Sequence, residues 1–228
     1  MNRLPIPGTL LNTATVLAGS TIGLLLGQAI PEGWLKTALL GLGLFNMALG
    51  VKMFLRVHNV LLVAGSMAIG GILGAAVDSG VELPGLKNAD GLLAASLLFC
   101  VGPMTLLGCV QDAVEGKSEL LQLKSLLDGI ASILLAATMG VSVLFSAFVV
   151  LVVQGALTVL GGRLRGVAQD GVLLDEFTAL GGLLILGIGL RLTEIQQIPV
   201  ANFLPGFLIL PLLMGAIKKF SRRALPPA

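Results

Sequence analysis

Phe99-Cys100-Val101-Gly102-Pro103-Met104-Thr105 runs straight on into Leu106-Leu107-Gly108-Cys109-Val110-Gln111-Asp112. This reads as an apolar helix with a Gly-Pro break near its centre and two polar side chains at its end. Proline removes one helix hydrogen bond and clashes with the carbonyl four residues before it. In apolar surroundings the freed carbonyls of Phe99 and its neighbours need partners: water, a hydroxyl such as that of Thr105, or a solute. A charged connector follows, and Lys124-Ser125-Leu126-Leu127-Asp128 then opens the next apolar run. Whether that stretch belongs to a soluble core or to a bilayer decides the fold.

Composition answers the question. The 228 residues are 56% hydrophobic and 11% charged, with a mean hydropathy of +1.01. Soluble domains carry about 25% charged residues, so lipid must be the solvent for much of this surface. Glycine is abundant at 31 residues while tyrosine is absent, a balance suited to close helix packing in a bilayer. A net charge of +2 excludes a polybasic nucleic-acid binder. Cys100 and Cys109 share one apolar helix and form neither a disulfide framework nor a metal motif; they read as small core residues. The apolar run after Arg3 lacks a small-residue cleavage site and reads as a first span, not a cleaved signal.

Apolar runs separated by polar turns give eight expected spans. They are Thr9–Ala29, Leu35–Phe54, Asn59–Val77, Gly91–Val110, Lys124–Met139, Ala147–Gly162, Phe177–Leu192 and Val200–Ile217. Asp78–Asp90, Gln111–Leu123 and Arg163–Glu176 are the longer polar linkers. The apolar run beginning at Lys124 continues for about 38 residues, nearly twice the ~20 that one crossing takes. A hairpin turn at Gly140–Ser146 is therefore expected. Charge supports it: with the N-terminus inside, eleven Lys and Arg face the cytoplasm and three face outward. Without the hairpin, Arg163, Arg165 and the basic tail would change sides. The expectation is a multi-pass protein of the inner (cytoplasmic) membrane with both termini cytoplasmic.

Two segments repeat. Gly43 and Leu49-Gly50-Val51-Lys52 in the second span match Gly182 and Ile188-Gly189-Leu190-Arg191 in the seventh. Val57-His58-Asn59-Val60-Leu61 likewise matches Val200-Ala201-Asn202-Phe203-Leu204. Spans one to three (about 9–77) then correspond to spans six to eight (about 147–217), with two central spans (about 91–139) between them. Five crossings separate the copies, so the second is inverted. Inverted repeats recur in secondary transporters, whose sites lie near midplane at broken helices. Similarity among low-diversity apolar helices also arises by chance.

Candidate site residues follow from depth and chemistry. Gly102, Pro103 and Thr105 mark the break, and Pro205 breaks the last span in the same way. Gln111 and Asp112 close the fourth span. Lys124 and Asp128 stand at i,i+4 on one helix face, where a buried carboxylate is costly unless paired or wetted. They would form either a structural ion pair or a coupling-proton site. Asn12, Asn46, Gln154 and Asn202 are amides inside apolar spans, and Asn59 is the repeat counterpart of Asn202. Such amides either join helices or line a polar path. Arg191 reads as a residue snorkelling to the outer surface, and His58 as a lone loop histidine. Gly19, Gly23 and Gly27 form a face for close helix approach, within the chain or in a homodimer.

No phosphate-cradling GxxxxGK[ST] loop, HExxH, GxSxG or paired-cysteine motif is present. An enzyme, a cofactor and a metal site are not expected. The readings left open are a secondary transporter of a small polar or ionic solute coupled to protons or sodium, a passive channel, and a membrane scaffold.

The segments Cys100-Val101-Gly102-Pro103-Met104-Thr105, Lys124-Ser125-Leu126-Leu127-Asp128-Gly129 and Val200-Ala201-Asn202-Phe203-Leu204-Pro205 resemble the bacterial YqgA/YdfK-like membrane proteins. These share domain of unknown function 554. The resemblance covers nearly the whole chain, including Gly8-Thr9 and Asn12. It implies a multi-span inner-membrane protein and carries over no substrate.

Overall fold

The protein is described by a computed structural model covering residues 6–77, 90–163, 166 and 170–224, with backbone alone for Pro103 and 218–224. Most of the expected linker from Asp78, with Lys87, lies outside the described residues, as do Arg3 and Arg165. Among the described residues there is no strand. The described residues form nine α-helices in an all-α bundle: α1 (Pro7–Ala29), α2 (Glu32–Phe54), α3 (Val60–Val77), α4 (Asp90–Cys100), α5 (Pro103–Glu115), α6 (Glu119–Met139), α7 (Ser146–Val159), α8 (Gly171–Leu192) and α9 (Gly206–Ala224). Short 3₁₀ turns, Gly140–Phe145 and Val200–Phe203, precede α7 and α9.

The 23 residues of α1 span ~35 Å, enough for a ~30 Å hydrocarbon core. Pro7 begins the helix, where its missing N–H costs nothing. Among the described residues five segments are long and apolar enough to cross a membrane, and six if α4 and α5, bent by 55°, count as one broken span. One of the five is the continuous run 119–159, whose 41 residues would reach ~60 Å if straight. It is not straight. Gly140, at φ 78°, ends α6. The side chain of Asn12 touches both Asp128 on α6 and Gln154 on α7, so the run folds back on itself as the hairpin required.

Glycines set the helix order. Gly8 meets Leu121, Gly19 meets Gly129 and Ser132, and Gly27 meets Ala137, so α1 lies parallel to α6. The Gly19-Gly23-Gly27 face is thus filled within the chain, and a homodimer would need another surface. Thr9 faces Thr158 and Asn12 faces Gln154, so α7 runs antiparallel to α1. We call the end holding the start of α1 the near end. Gly43 packs on Gly189, and Gly50 on Gly182, joining α2 and α8 antiparallel, backbone to backbone. On α3, Gly74 meets Asn202 and Gly70 meets Gly206. Gly70 is ten residues into α3, ~15 Å from its start, so α9 begins near mid-depth. The eighth expected span is therefore interrupted: Val200–Phe203 is 3₁₀ and the α-helix starts only after Pro205, whose missing N–H stops the ladder.

Two further boundaries move. The connector expected at Gln111–Leu123 shrinks to Gly116–Ser118, because α5 runs on to Glu115 and Gly116 caps it at φ 65°. The polar loop expected to end at Glu176 ends earlier. Asp170 accepts a hydrogen bond from Leu173 N and starts α8 at Gly171.

α4 lies in the middle of the bundle. Ala95 and Phe99 pack into one apolar cluster with Val16, Leu135 and Val150, while Ala94 and Leu97 join another with Leu184 and Ile188. The outside is a mantle of large apolar side chains, among them Leu61 (84% exposed), Trp34 (73%) and Phe148 (68%). Water would not tolerate that surface, and lipid does.

Candidate functional site

Asp128 lies nine residues into α6, where the surroundings are apolar. Its neighbour one turn earlier, Lys124, reaches both carboxylate oxygens, at 2.8 Å (Oδ2) and 2.9 Å (Oδ1). Each residue is only 6% exposed. The helix repeat makes this contact: i and i+4 share a face. Across the interface the Asn12 side-chain N–H₂ donates to Asp128 Oδ2 (2.9 Å) and to Gln154 Oε1 (3.1 Å). Three helices, α6, α1 and α7, thus hold one ammonium, one carboxylate and two amides in a fully buried cluster. Two valences stay open: Asn12 Oδ1, an acceptor, and Gln154 Nε2, a donor, are buried without partners among the described residues. Leaving such groups unpaired costs about 1–3 kcal/mol each.

Towards the near end the polar line continues. Thr9 and Thr158 share a hydrogen bond of 3.2 Å, and Gly8 N donates to Asp112 Oδ2 (3.1 Å). Cys109 places its Sγ 3.6 Å from the Gln154 carbonyl.

The remaining candidates do not join this cluster. Thr105 donates its hydroxyl to Phe99 O (3.1 Å), satisfying a carbonyl freed by the Gly102-Pro103 break. Asn46 is buried in α2, on the helix whose glycines meet α8. Asn59 accepts from Leu62 N (3.1 Å) and caps α3. Asn202 lies in the 3₁₀ turn before Pro205, its backbone against Gly74. Gln111 buries an unpaired Oε1 in α5. Gly102, at φ 150°, a backbone conformation that residues with a side chain rarely adopt, instead borders a half-open cavity of about 450 Å³ between α4–α5, α7, α8 and the start of α9. Its walls are apolar, including Leu97, Val153, Leu174 and Phe207. α7 divides the two features: Gln154 and Thr158 point to α1, while Val153 and Leu157 line the cavity.

Some charged partners escaped the sequence reading. Glu176, read as the end of a loop, is 1% exposed; its Oε1 accepts from Asn59 N (2.6 Å) and its Oε2 has no partner among the described residues. His58 is not alone: it meets Asp175 at 3.0 Å, and Arg56 meets the same carboxylate at 3.6 Å. Arg191 does not simply snorkel. It pairs with Asp90 at 2.7 Å and donates to Ile198 O (3.0 Å), tying α8 to α4 at the far end. Both side chains of that pair are about a quarter to a third exposed. A double-mutant cycle on Asp90→Ala and Arg191→Ala, read by denaturant unfolding, should therefore return a coupling of only about 0.2–1 kcal/mol.

A mantle of apolar side chains, helices of bilayer length and a buried ion pair define a polytopic α-helical membrane protein. The family model described as "protein of unknown function (DUF554)" matches residues 7–215, and the chain belongs to that family. It is 33% identical to the "uncharacterized membrane protein YdfK" of Bacillus subtilis (strain 168) over 228 residues, covering 95% of this chain and 99% of that one. It is 25% identical to the "uncharacterized protein YqgA" of Escherichia coli (strain K12) over 220 residues, covering 89% and 93%. No solved structure matches the chain.

Proposed function

We propose that the protein is a secondary transporter of a small polar or ionic solute, coupled to a proton or sodium gradient. It would sit in the cytoplasmic membrane with its near end inward. The observation that carries this reading is the Lys124–Asp128 pair joined to Asn12 and Gln154. Ionisable groups within membrane segments are costly and tend to mark solute or proton paths. Beside the pair stand an amide acceptor and an amide donor without partners among the described residues, to which a polar group of a solute could bond.

The inverted repeat read from the sequence, if the two halves are so related, adds support. Sequence equates Gly43 with Gly182 and Gly50 with Gly189; in space Gly43 meets Gly189 and Gly50 meets Gly182. That crossed pairing is what a pseudo-two-fold axis between α2 and α8 requires, because equivalent positions exchange partners across such an axis. The interruptions at Gly102-Pro103 and Pro205 fit the same architecture.

Thermal unfolding of purified protein tests the reading. Amino acids, organic acids and Na⁺ would be screened against wild type and Asp128→Asn. A solute present at 100 times its Kd adds about 2.7 kcal/mol of stability, a visible shift in Tm. The expected result is a solute that stabilises wild type and not Asp128→Asn, and whose uptake into proteoliposomes saturates and needs a gradient. Non-saturating, gradient-independent flux would mark a channel. No stabilisation by any solute, with Gly23→Leu destroying the cellular phenotype and Asp128→Asn sparing it, would mark a scaffold.

A further inference from the structure

α9 outruns the helix it packs on. Gly70 meets Gly206, and a Cβ at Gly65 would lie 3.7 Å from Leu213, so α9 runs antiparallel to α3 and heads for the near end. Continued in that register, α9 draws level with Val60, the first residue of α3, at about residue 217. Its backbone stays helical to Ala224, so roughly 10 Å of helix projects beyond the start of α3. Lys218, Lys219, Arg222 and Arg223 fall on that projection. At about 100° per residue the four positions share one arc of the helix, while Leu213, Ile217, Phe220 and Ala224 hold positions on the opposite arc. The end of α9 is therefore amphipathic, with a basic face and an apolar stripe.

The end of α2 adds to the charge. Phe54 and Val57 pack on the same apolar cluster as Leu213 and Met214, so the near ends of α2 and α9 converge. Lys52 and Arg56 belong to that corner. Lys52 is exposed, and the Arg56 side chain keeps 52% of its surface free despite its contact with Asp175. The start of α8 brings Asp170, Asp175 and Glu176 to the same end, and Glu176 is buried. With His58 neutral, six cations stand against these three acids. The surplus lies where the membrane-spanning helices end, which is the level of the lipid headgroups.

A partner for this end has to meet both of its faces. A nucleic acid or an acidic soluble protein offers charge and nothing for the apolar stripe, where Ile217 is already 51% exposed. An anionic phospholipid offers phosphate at the surface and acyl chain beneath it, and basic amphipathic helices settle at that boundary. We propose that the projecting end of α9, together with Lys52 and Arg56, is a docking surface for anionic phospholipids of the leaflet at the near end. It involves neither the Lys124–Asp128 cluster nor the cavity, and it stands whether or not the chain transports. The anchor suits α9, which begins near mid-depth and so reaches one interface where a full span reaches two.

The test titrates the full chain in detergent with phosphatidylglycerol and with phosphatidylcholine of the same acyl chains, and counts bound lipid by native mass spectrometry. Wild type should bind phosphatidylglycerol at least ~10-fold more tightly, since each cation near a charged lipid surface is worth up to about 5-fold. Added salt should shrink that preference. The fourfold variant Lys218→Gln, Lys219→Gln, Arg222→Gln, Arg223→Gln should lower it at least ~5-fold. If that variant fails to fold, Lys218→Gln with Lys219→Gln, and Arg222→Gln with Arg223→Gln, should each lower it at least ~2-fold. Lys36→Gln, on the first turns of α2 at the far end, and Lys117→Gln, between α5 and α6, should leave it unchanged. Equal binding of the two lipids by wild type would overturn the proposal, as would a preference that survives the α9 variants or falls as far in Lys117→Gln. So would displacement of phosphatidylglycerol from wild type by inorganic phosphate or by a single-stranded oligonucleotide, since the partner would then be a soluble anion or a nucleic acid.

Discussion

Asp128→Ala is expected to destabilise the protein by about 3–5 kcal/mol, measured by denaturant or thermal unfolding in detergent. The size follows from what is left behind. Lys124 is 6% exposed, and its ammonium touches both oxygens of the carboxylate that the substitution removes. An unpaired buried cation in apolar surroundings is the costly outcome of such a truncation. Asn12 makes matters worse, since its Nδ2 loses one acceptor as well. Removing both charges at once, as Lys124→Met with Asp128→Leu, should recover most of that loss, because well-packed apolar replacements of a buried pair are commonly neutral or stabilising. The double variant then separates two roles. If wild type moves solute as proposed and the double variant folds and does so too, the pair is structural. If wild type moves solute and the double variant folds but is inert, the charges serve transport.

The fold was largely legible because its signals are simple. Apolar runs of bilayer length gave the helices, and the distribution of Lys and Arg required a hairpin that Gly140 and the double contact of Asn12 then realise. Pairing Lys124 with Asp128 was legible because an i,i+4 contact is local. Adding Asn12 and Gln154 to it was not, because their partners are more than a hundred residues away in sequence. The same limit explains why the candidates scattered. Gly102, Thr105, Asn59 and Asn202 each had the chemistry of a site residue, but depth along a span does not reveal which way a side chain faces. Glu176 was hidden for the opposite reason. It sits beside polar Asp175 at a helix end, where sequence suggests solvent, yet the start of α3 folds over it. The apolar cavity left no trace in sequence at all: its wall residues look like lipid-facing ones, and only packing distinguishes them.

Gly50→Leu and Gly189→Leu should each cost at least about 3 kcal/mol, the upper end for overpacking a filled interior, with Gly41→Leu as the control. A side chain at Gly50 would run into Leu186 N at 2.7 Å and Leu186 Cβ at 2.9 Å, and one at Gly189 into Gly43 O at 2.7 Å and Met47 N at 2.9 Å. Backbone atoms supply much of each obstacle, and a backbone cannot swing aside as a flexible side chain can. The helices α2 and α8 must therefore part or slide, and either movement strips the close contact along the whole seam. Gly41 lies on the same helix with nothing within 4 Å; leucine there should be neutral or gain roughly 0.5–1 kcal/mol from better helix propensity. Comparing the two seam variants tests the repeat as well as the packing. If a pseudo-two-fold axis relates the halves, positions 50 and 189 are equivalent and their losses should match. Should one be tolerated and the other not, the seam would still be tight, but the crossed glycine contacts would lose their meaning as a mark of internal symmetry.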